Sequence, residues 1–250
     1  MTALEIIQKL DAILGVTFET GKQERLFYQI KGKYAYYKLN AEKEVTKIVL
    51  YNLYMPVLNE FFCEFQHCES FTALHCEIEQ LPQNIGNMTM LRTLNLGFNK
   101  LSNLPESMFD CERLESILLV NNNFTDVPAL ITEFPYLKIV SLESNKINLY
   151  PEFLNGVAST VRVNLMRNLI TELPESVLDS RLPLKRFLLN KPGIFLGGNE
   201  LLSPPLALLK FSRGSLPLYF KLDKSKRQLG NFQLIALQIT GYFLQFFKRR

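Results

Sequence analysis

The 250-residue sequence predicts an α/β solenoid, a stack of short repeats sharing one interior, and three regularities carry that prediction. Prolines fall at positions 82, 105, 128, 151 and 174, each 23 residues after the one before. On that register apolar residues recur at positions 1, 4, 6 and 11 of most units, as Leu91, Leu94, Leu96 and Leu101, then Leu114, Ile117, Leu119 and Phe124. Asparagine recurs at position 9, as Asn99, Asn122, Asn145, Asn168 and Asn199. One such unit cannot bury its own apolar edge, so neighbours must stack.

The units start at Val45, Cys68, Leu91, Leu114, Leu137 and Thr160, with a seventh beginning near Lys191. Alternation at positions 4 and 6 predicts a short strand with one buried face. The Leu-Pro pair ends it, because proline cannot donate to a ladder and restricts the residue before it. This pattern resembles the leucine-rich repeat superfamily, in particular its short 23-residue "LxxLxLxxNxLxxLPxxI" class, typical of intracellular Ras-scaffold-type and many bacterial proteins. The resemblance covers residues 45–205 and implies a right-handed horseshoe with a parallel sheet on the concave side. It also implies that the position-9 asparagines turn inward and pair with backbone groups of their own and adjacent turns, with Cys76 as a substitute in the second unit. Leu53 and Asn59 depart from the pattern in the first unit, as terminal repeats usually do.

Each end of a solenoid leaves an apolar face to be covered. Residues 1–44 are read as an N-terminal cap: apolar positions 4, 6, 7, 10, 13 and 14 make a helical face, and the β-prone runs around Lys31-Gly32-Lys33 predict a hairpin. Residues 206–250 are read as a C-terminal helical cap with a basic, apolar tail; "GGNELLSPPLALLKF" is similar to the closing segment of bacterial and Roco-type repeat proteins. That tail holds nine Lys or Arg against one acid, whereas residues 45–205 hold twelve bases and seventeen acids. Its uncharged stretch 228–247 is open to three readings: packing on the last repeat, contact with a membrane, or poor order. The segment between Pro174 and Gly193 is eight residues longer than the register requires and predicts an enlarged convex loop.

Composition disfavours several functions. No GxxxxGK[ST] phosphate loop occurs, and no carboxylate pair or Ser/His/Asp grouping emerges, so an enzyme is not expected. The mildly acidic repeats argue against nucleic acid, which wants a basic stripe. Cys63, His67, Cys68, His75 and Cys76 invite a metal reading, but alternation sends His75 and Cys76 to opposite faces, and no metal or cofactor is expected. Unevenly spaced cysteines and an N-terminus without a basic region before its apolar part point to the cytoplasm.

Function is then expected at the variable positions, which in the family face out from the concave sheet. Leu74, Phe98, Leu118, Val120 and Met166 are expected to form an exposed apolar strip, with Tyr51 and His75 beside it. Arg92, Lys138, Glu143, Arg162 and Arg167 would make its charged rim. An apolar centre with a polar rim is the layout of a protein-binding patch. The expected function is a non-catalytic scaffold or adaptor module in signalling that binds a protein partner. The alternatives are a membrane-associated adaptor held by the tail, or the recognition arm of an enzyme or effector whose catalytic part is absent.

Overall fold

A computed structural model describes residues 1–20, 32–181, 183–185 and 191–202. Helix α1 (Ala3–Leu14) opens the chain. Thr2 accepts from the Glu5 backbone N–H and the Glu5 carboxylate accepts from the Thr2 N–H, a reciprocal capping box, while Gly15 closes the helix in the left-handed conformation at φ 59°. Ile6, Ile7 and Leu10 are its buried residues; Leu4 and Ile13, which the sequence pattern puts on the apolar face, stand exposed.

Ten strands among the described residues form one sheet: β1 (Phe18–Thr20), β2 (Tyr34–Leu39), β3 (Val45–Tyr51), β4 (Ser70–Leu74), β5 (Thr93–Asn95), β6 (Ser116–Leu118), β7 (Ile139–Ser141), β8 (Arg162–Asn164), β9 (Leu184–Lys185) and β10 (Gly193–Phe195). Spatial order follows the chain except that β9 lies outside β10. From β3 onward every neighbouring pair is parallel, and the position-4 residues Ile48, Phe71, Leu94, Ile117, Val140, Val163 and Ile194 lie in register across it. All seven are buried at 0% exposure, so the stack shares one continuous apolar row. This is the leucine-rich repeat solenoid, fixed by the parallel ladder and its common interior.

Each period proline also shapes the convex side, because it stands just before a 3-10 turn and its carbonyl accepts the first bond. Pro82, Pro105, Pro128, Pro151 and Pro174 accept from Ile85, Met108, Ile131, Leu154 and Val177 at 3.1–3.2 Å, and those five side chains are buried. Asn59 takes this place in the first unit: its carbonyl accepts from Phe62 and its side-chain oxygen from the Phe61 N–H at 3.0 Å. The divergent unit thus keeps the turn by side-chain capping.

Two expectations shift. The antiparallel partner of β2 is β3, closed by a turn at 40–44 in which the Asn40 side chain accepts from the Glu44 N–H at 2.8 Å, while β1 runs parallel along the other edge of β2. The first arm of the hairpin expected around Gly32 lies outside the described residues, as does the tail. In the sixth unit Thr160 is exposed and Val161, 3% exposed, is the buried residue that begins it.

Candidate functional site

The position-9 asparagines are buried, between 4% and 8% exposed, and bond in one repeated way. Asn99 accepts from the Cys76 and Ile78 N–H groups at 3.0 and 3.1 Å and donates to the Ala73 and Leu96 carbonyls at 2.8 and 3.0 Å. Asn122 accepts from Leu101 and donates to Leu96, both at 2.9 Å. Asn145, Asn168 and Asn199 repeat the bond, accepting from Phe124, Ile147 and Ile170 at 3.0–3.1 Å and donating to Leu119, Leu142 and Leu165 at 2.8–2.9 Å. Every amide spans two repeats and pairs backbone groups that burial would otherwise orphan. Cys76 is fully buried in the same slot, its thiol donating to the Leu74 carbonyl at 3.2 Å.

One position before this ladder, the backbone is left-handed in all seven units: Asn52, His75, Phe98, Asn121, Ser144, Arg167 and Gly198 have φ between 54° and 78°. The chain must leave the strand and bring the asparagine inward within one residue, and the positive φ does this. For histidine, phenylalanine and arginine it is an uncommon conformation, sustained here by cross-repeat bonds such as Phe98 N–H to the Val120 carbonyl at 2.7 Å. At position 8 six of the seven residues are exposed, and Ser144 is half-buried. Phe98 is 43% exposed and stacks on His75 with ring centroids 4.5 Å apart and planes within 15°. His75 in turn meets the edge of Tyr51 at 5.4 Å, giving a run of three rings across three repeats.

The apolar strip is narrower than expected. Leu74 is buried at 9% exposure because its neighbour at the same position is Gly97: the Leu74 terminal methyl lies 3.4 Å from where a Gly97 Cβ would stand, filling the hollow. Leu118, Val120 and Met166 are half-buried, and Phe195, at position 5 of the seventh unit, is fully buried. The strip is therefore Phe98 with three partly covered neighbours.

The charged rim is organised by a residue absent from the sequence-based candidates. Glu115 takes Arg92 at 2.8 Å and Lys138 at 2.5 Å, one repeat to either side. These hydrogen bonds, Lys138 first and Arg92 second, hold its carboxyl below the usual range. Reading the position-2 column as Arg92, Glu115, Lys138 would have exposed the alternation. Glu143 is bridged by Arg167 at 3.4 Å and receives the Asn164 amide at 2.9 Å. Arg162 is half-buried on β8.

The cysteine and histidine cluster does not converge. Cys63, Cys68 and Cys76 are buried and unpaired, while His67 and His75 are exposed, and among the described residues no group of three metal-binding side chains forms. Burial pushes the thiols of Cys63 and Cys68 up to about 12 and that of Cys76 to about 11, which suits packing and not nucleophilic attack. Among the described residues no helix is long and apolar enough to cross a membrane.

No protein-family model and no curated protein matches the sequence. Among solved structures, a leucine-rich repeat protein of Leptospira interrogans is similar at 23% identity over 62% of this chain and 44% of that one, with a TM-score of 0.47. The repeat domain of the type III effector XopL is similar at 16% identity over 64% of this chain and 53% of that one, with a TM-score of 0.49. The ectodomain of the receptor kinase SOBIR1 from Arabidopsis thaliana matches at 20% identity over 82% and 96%, with a TM-score of 0.40. The chain spans less than two thirds of the first two.

Proposed function

We propose that the protein is a non-catalytic interaction module that takes a protein partner on the concave face of the solenoid. The observation that carries this reading is Phe98, a large aromatic residue held at 43% exposure on a left-handed backbone and stacked on His75. The stack on His75 fixes the ring while leaving much of it open to solvent, and an anchored aromatic ring is well suited to be the energetic centre of an interface. Half-buried Leu118, Val120 and Met166 supply apolar contact beside it, and Arg167, on the same rim, supplies a planar donor. The four buried, unpaired cysteines are in keeping with a cytoplasmic home.

The test starts from the full chain immobilised as bait. A partner captured in this way is purified, and its affinity for the native protein is compared with that of Phe98→Ala, Arg167→Ala and the convex control Phe153→Ala. Loss of at least ten-fold in affinity is expected for the two concave variants, with thermal midpoints unchanged and the control unaffected. Native affinity in both concave variants would remove the concave face from the account.

A further inference from the structure

We infer that the partner segment seated on the concave face is an uncharged stretch of polypeptide, held through its main chain by a floor of hydroxyl and amide side chains on β4, β5 and β6. The inference deepens the concave-face proposal and rests on it.

Two rows of side chains make the floor. Ser70, Thr93 and Ser116 stand in register on the three strands, and so do Thr72, Asn95 and Leu118 two residues further along. Between the rows lie Phe71, Leu94 and Ile117, all fully buried, so both rows point out of the sheet on its concave side. Five of the six carry a hydroxyl or an amide, and none carries a charge. At the next outward position of β5's unit Gly97 has no side chain, with the Leu74 methyl and the Val120 carbonyl 3.4 Å from where a Cβ would stand. A main chain can therefore come close.

The floor's bonding capacity is open. The hydroxyls of Ser70, Thr72, Thr93 and Ser116 make no hydrogen bond among the described residues. Thr72 is the sharpest case, since it is only 7% exposed, and a buried hydroxyl is costly to leave unpaired unless something outside the chain supplies the bond. Asn95 takes the Gly97 N–H on its oxygen at 3.2 Å, which orients the amide and leaves its nitrogen without an acceptor among the described residues. Asn164, at the same position of the sixth unit, spends its nitrogen on Ser141 and Glu143 at 3.3 and 2.9 Å. The open amide thus lies in the repeat that carries Phe98.

A hydroxyl both donates and accepts, so this floor answers peptide N–H and C=O groups alike. Strands stand about 4.8 Å apart, so each row covers roughly 10 Å, the length of about three extended residues. Leu118 and Val120, half-buried, add aliphatic contact. Charge has little to add. Glu115 takes Arg92 and Lys138, Glu143 takes Arg167, and Lys47, next in the row beyond Ser70, is engaged within the molecule. Glu69, exposed at the edge, has no ion pair among the described residues, and a single exposed charge contributes little. A charged partner side chain laid on the floor would lose water and meet no counter-charge.

The probe is a phage-displayed library of random dodecapeptides, selected on the immobilised full-length protein. Selected sequences are synthesised with fluorescein and titrated by anisotropy, and maltoheptaose is titrated by calorimetry as a neutral saccharide. We expect the selected peptides to carry a net charge between −1 and +1. Their affinity should stay within about two-fold between 50 and 500 mM salt, because hydrogen bonds and apolar contact are not screened as exposed charges are. Thr93→Val/Asn95→Asp, which preserves side-chain shape and the acceptor for Gly97, should lose at least ten-fold, and Thr72→Val several-fold. Thermal midpoints should be unchanged, and the convex control Phe153→Ala unaffected. Selected peptides with a net charge of 3 or more in either sign, a ten-fold loss at the higher salt, or failure to select any peptide overturns the inference. So does native affinity in both floor variants. Tighter binding of maltoheptaose than of any peptide, with the same loss in the floor variants, puts a saccharide in the peptide's place. Failure of the concave-face proposal shows differently, as native affinity of the purified partner in Phe98→Ala and Arg167→Ala.

Discussion

Asn122 shows how one side chain holds two repeats. It is 6% exposed, takes the Leu101 N–H on its oxygen and gives its nitrogen to the Leu96 carbonyl, both of which belong to the preceding unit. In Asn122→Ala the Leu101 N–H stays buried and loses its partner, and the Leu96 carbonyl keeps only its bond from Asn99. The expected cost is about 1–3 kcal/mol, read as a lower urea midpoint with an unchanged slope. A midpoint within error of the native protein would show that the amide is dispensable and that the parallel ladder alone sets the register. Asparagine at position 9 is readable from its spacing alone. The left-handed backbone at position 8 is not: Asn52, Asn121 and Gly198 are residue types that tolerate positive φ, but Phe98 and Arg167 give no such signal.

The strands and the 3-10 turns pack by different rules. Strand residues can be sorted inward or outward by counting, and the count agrees with the structure for Leu94, Ile117 and Val163, all fully buried. It fails for Leu74, because counting treats each position separately and cannot see that Gly97 leaves room beside it. It fails again at Thr160, which is exposed although the 23-residue spacing is kept, and the buried place passes to Val161. On the convex side the controlling residue is Gly86, in the 3-10 turn Gln83–Asn87. A Cβ there would lie 2.2 Å from the Ser107 carbonyl oxygen of the next turn, Glu106–Asp110. Both partners are backbone, so neither can swing aside. Gly86→Ala must push two stacked turns apart, and overpacking of this kind costs about 1–3 kcal/mol. The checking measurement is hydrogen exchange. Protection should fall at Met108 and Cys111, whose N–H groups close the Glu106–Asp110 turn, and should persist at Val177, three repeats away. Uniform loss along the chain would mean that the stack does not behave as a chain of nearest neighbours.

Across the whole molecule the stack places four thiols in one interior, and this makes stability depend on alkaline pH. Burial raises Cys63, Cys68 and Cys111 from an ordinary 9.0 to about 12, and Cys76 to about 11. In the unfolded chain all four titrate near the ordinary value. Below pH 9 both states keep their protons and the stability is whole. Between 9 and 11 the unfolded chain has released protons that the folded chain still holds, so unfolding becomes easier as pH rises, by on the order of 1.4 kcal/mol per thiol per pH unit. Tyr150, whose hydroxyl is buried and donates to the Asn155 side-chain oxygen at 2.9 Å, is raised too and adds to the fall above 10. The expected result is a urea midpoint that is level from pH 7 to 8.5 and drops steeply by pH 10. A variant with all four cysteines changed to Ala should start lower, because of the cavities it leaves, but lose less over the same interval. An equal slope in the two proteins would show that the thiols titrate alike folded and unfolded, and so that the shared interior admits water at the positions where the stack is drawn closed.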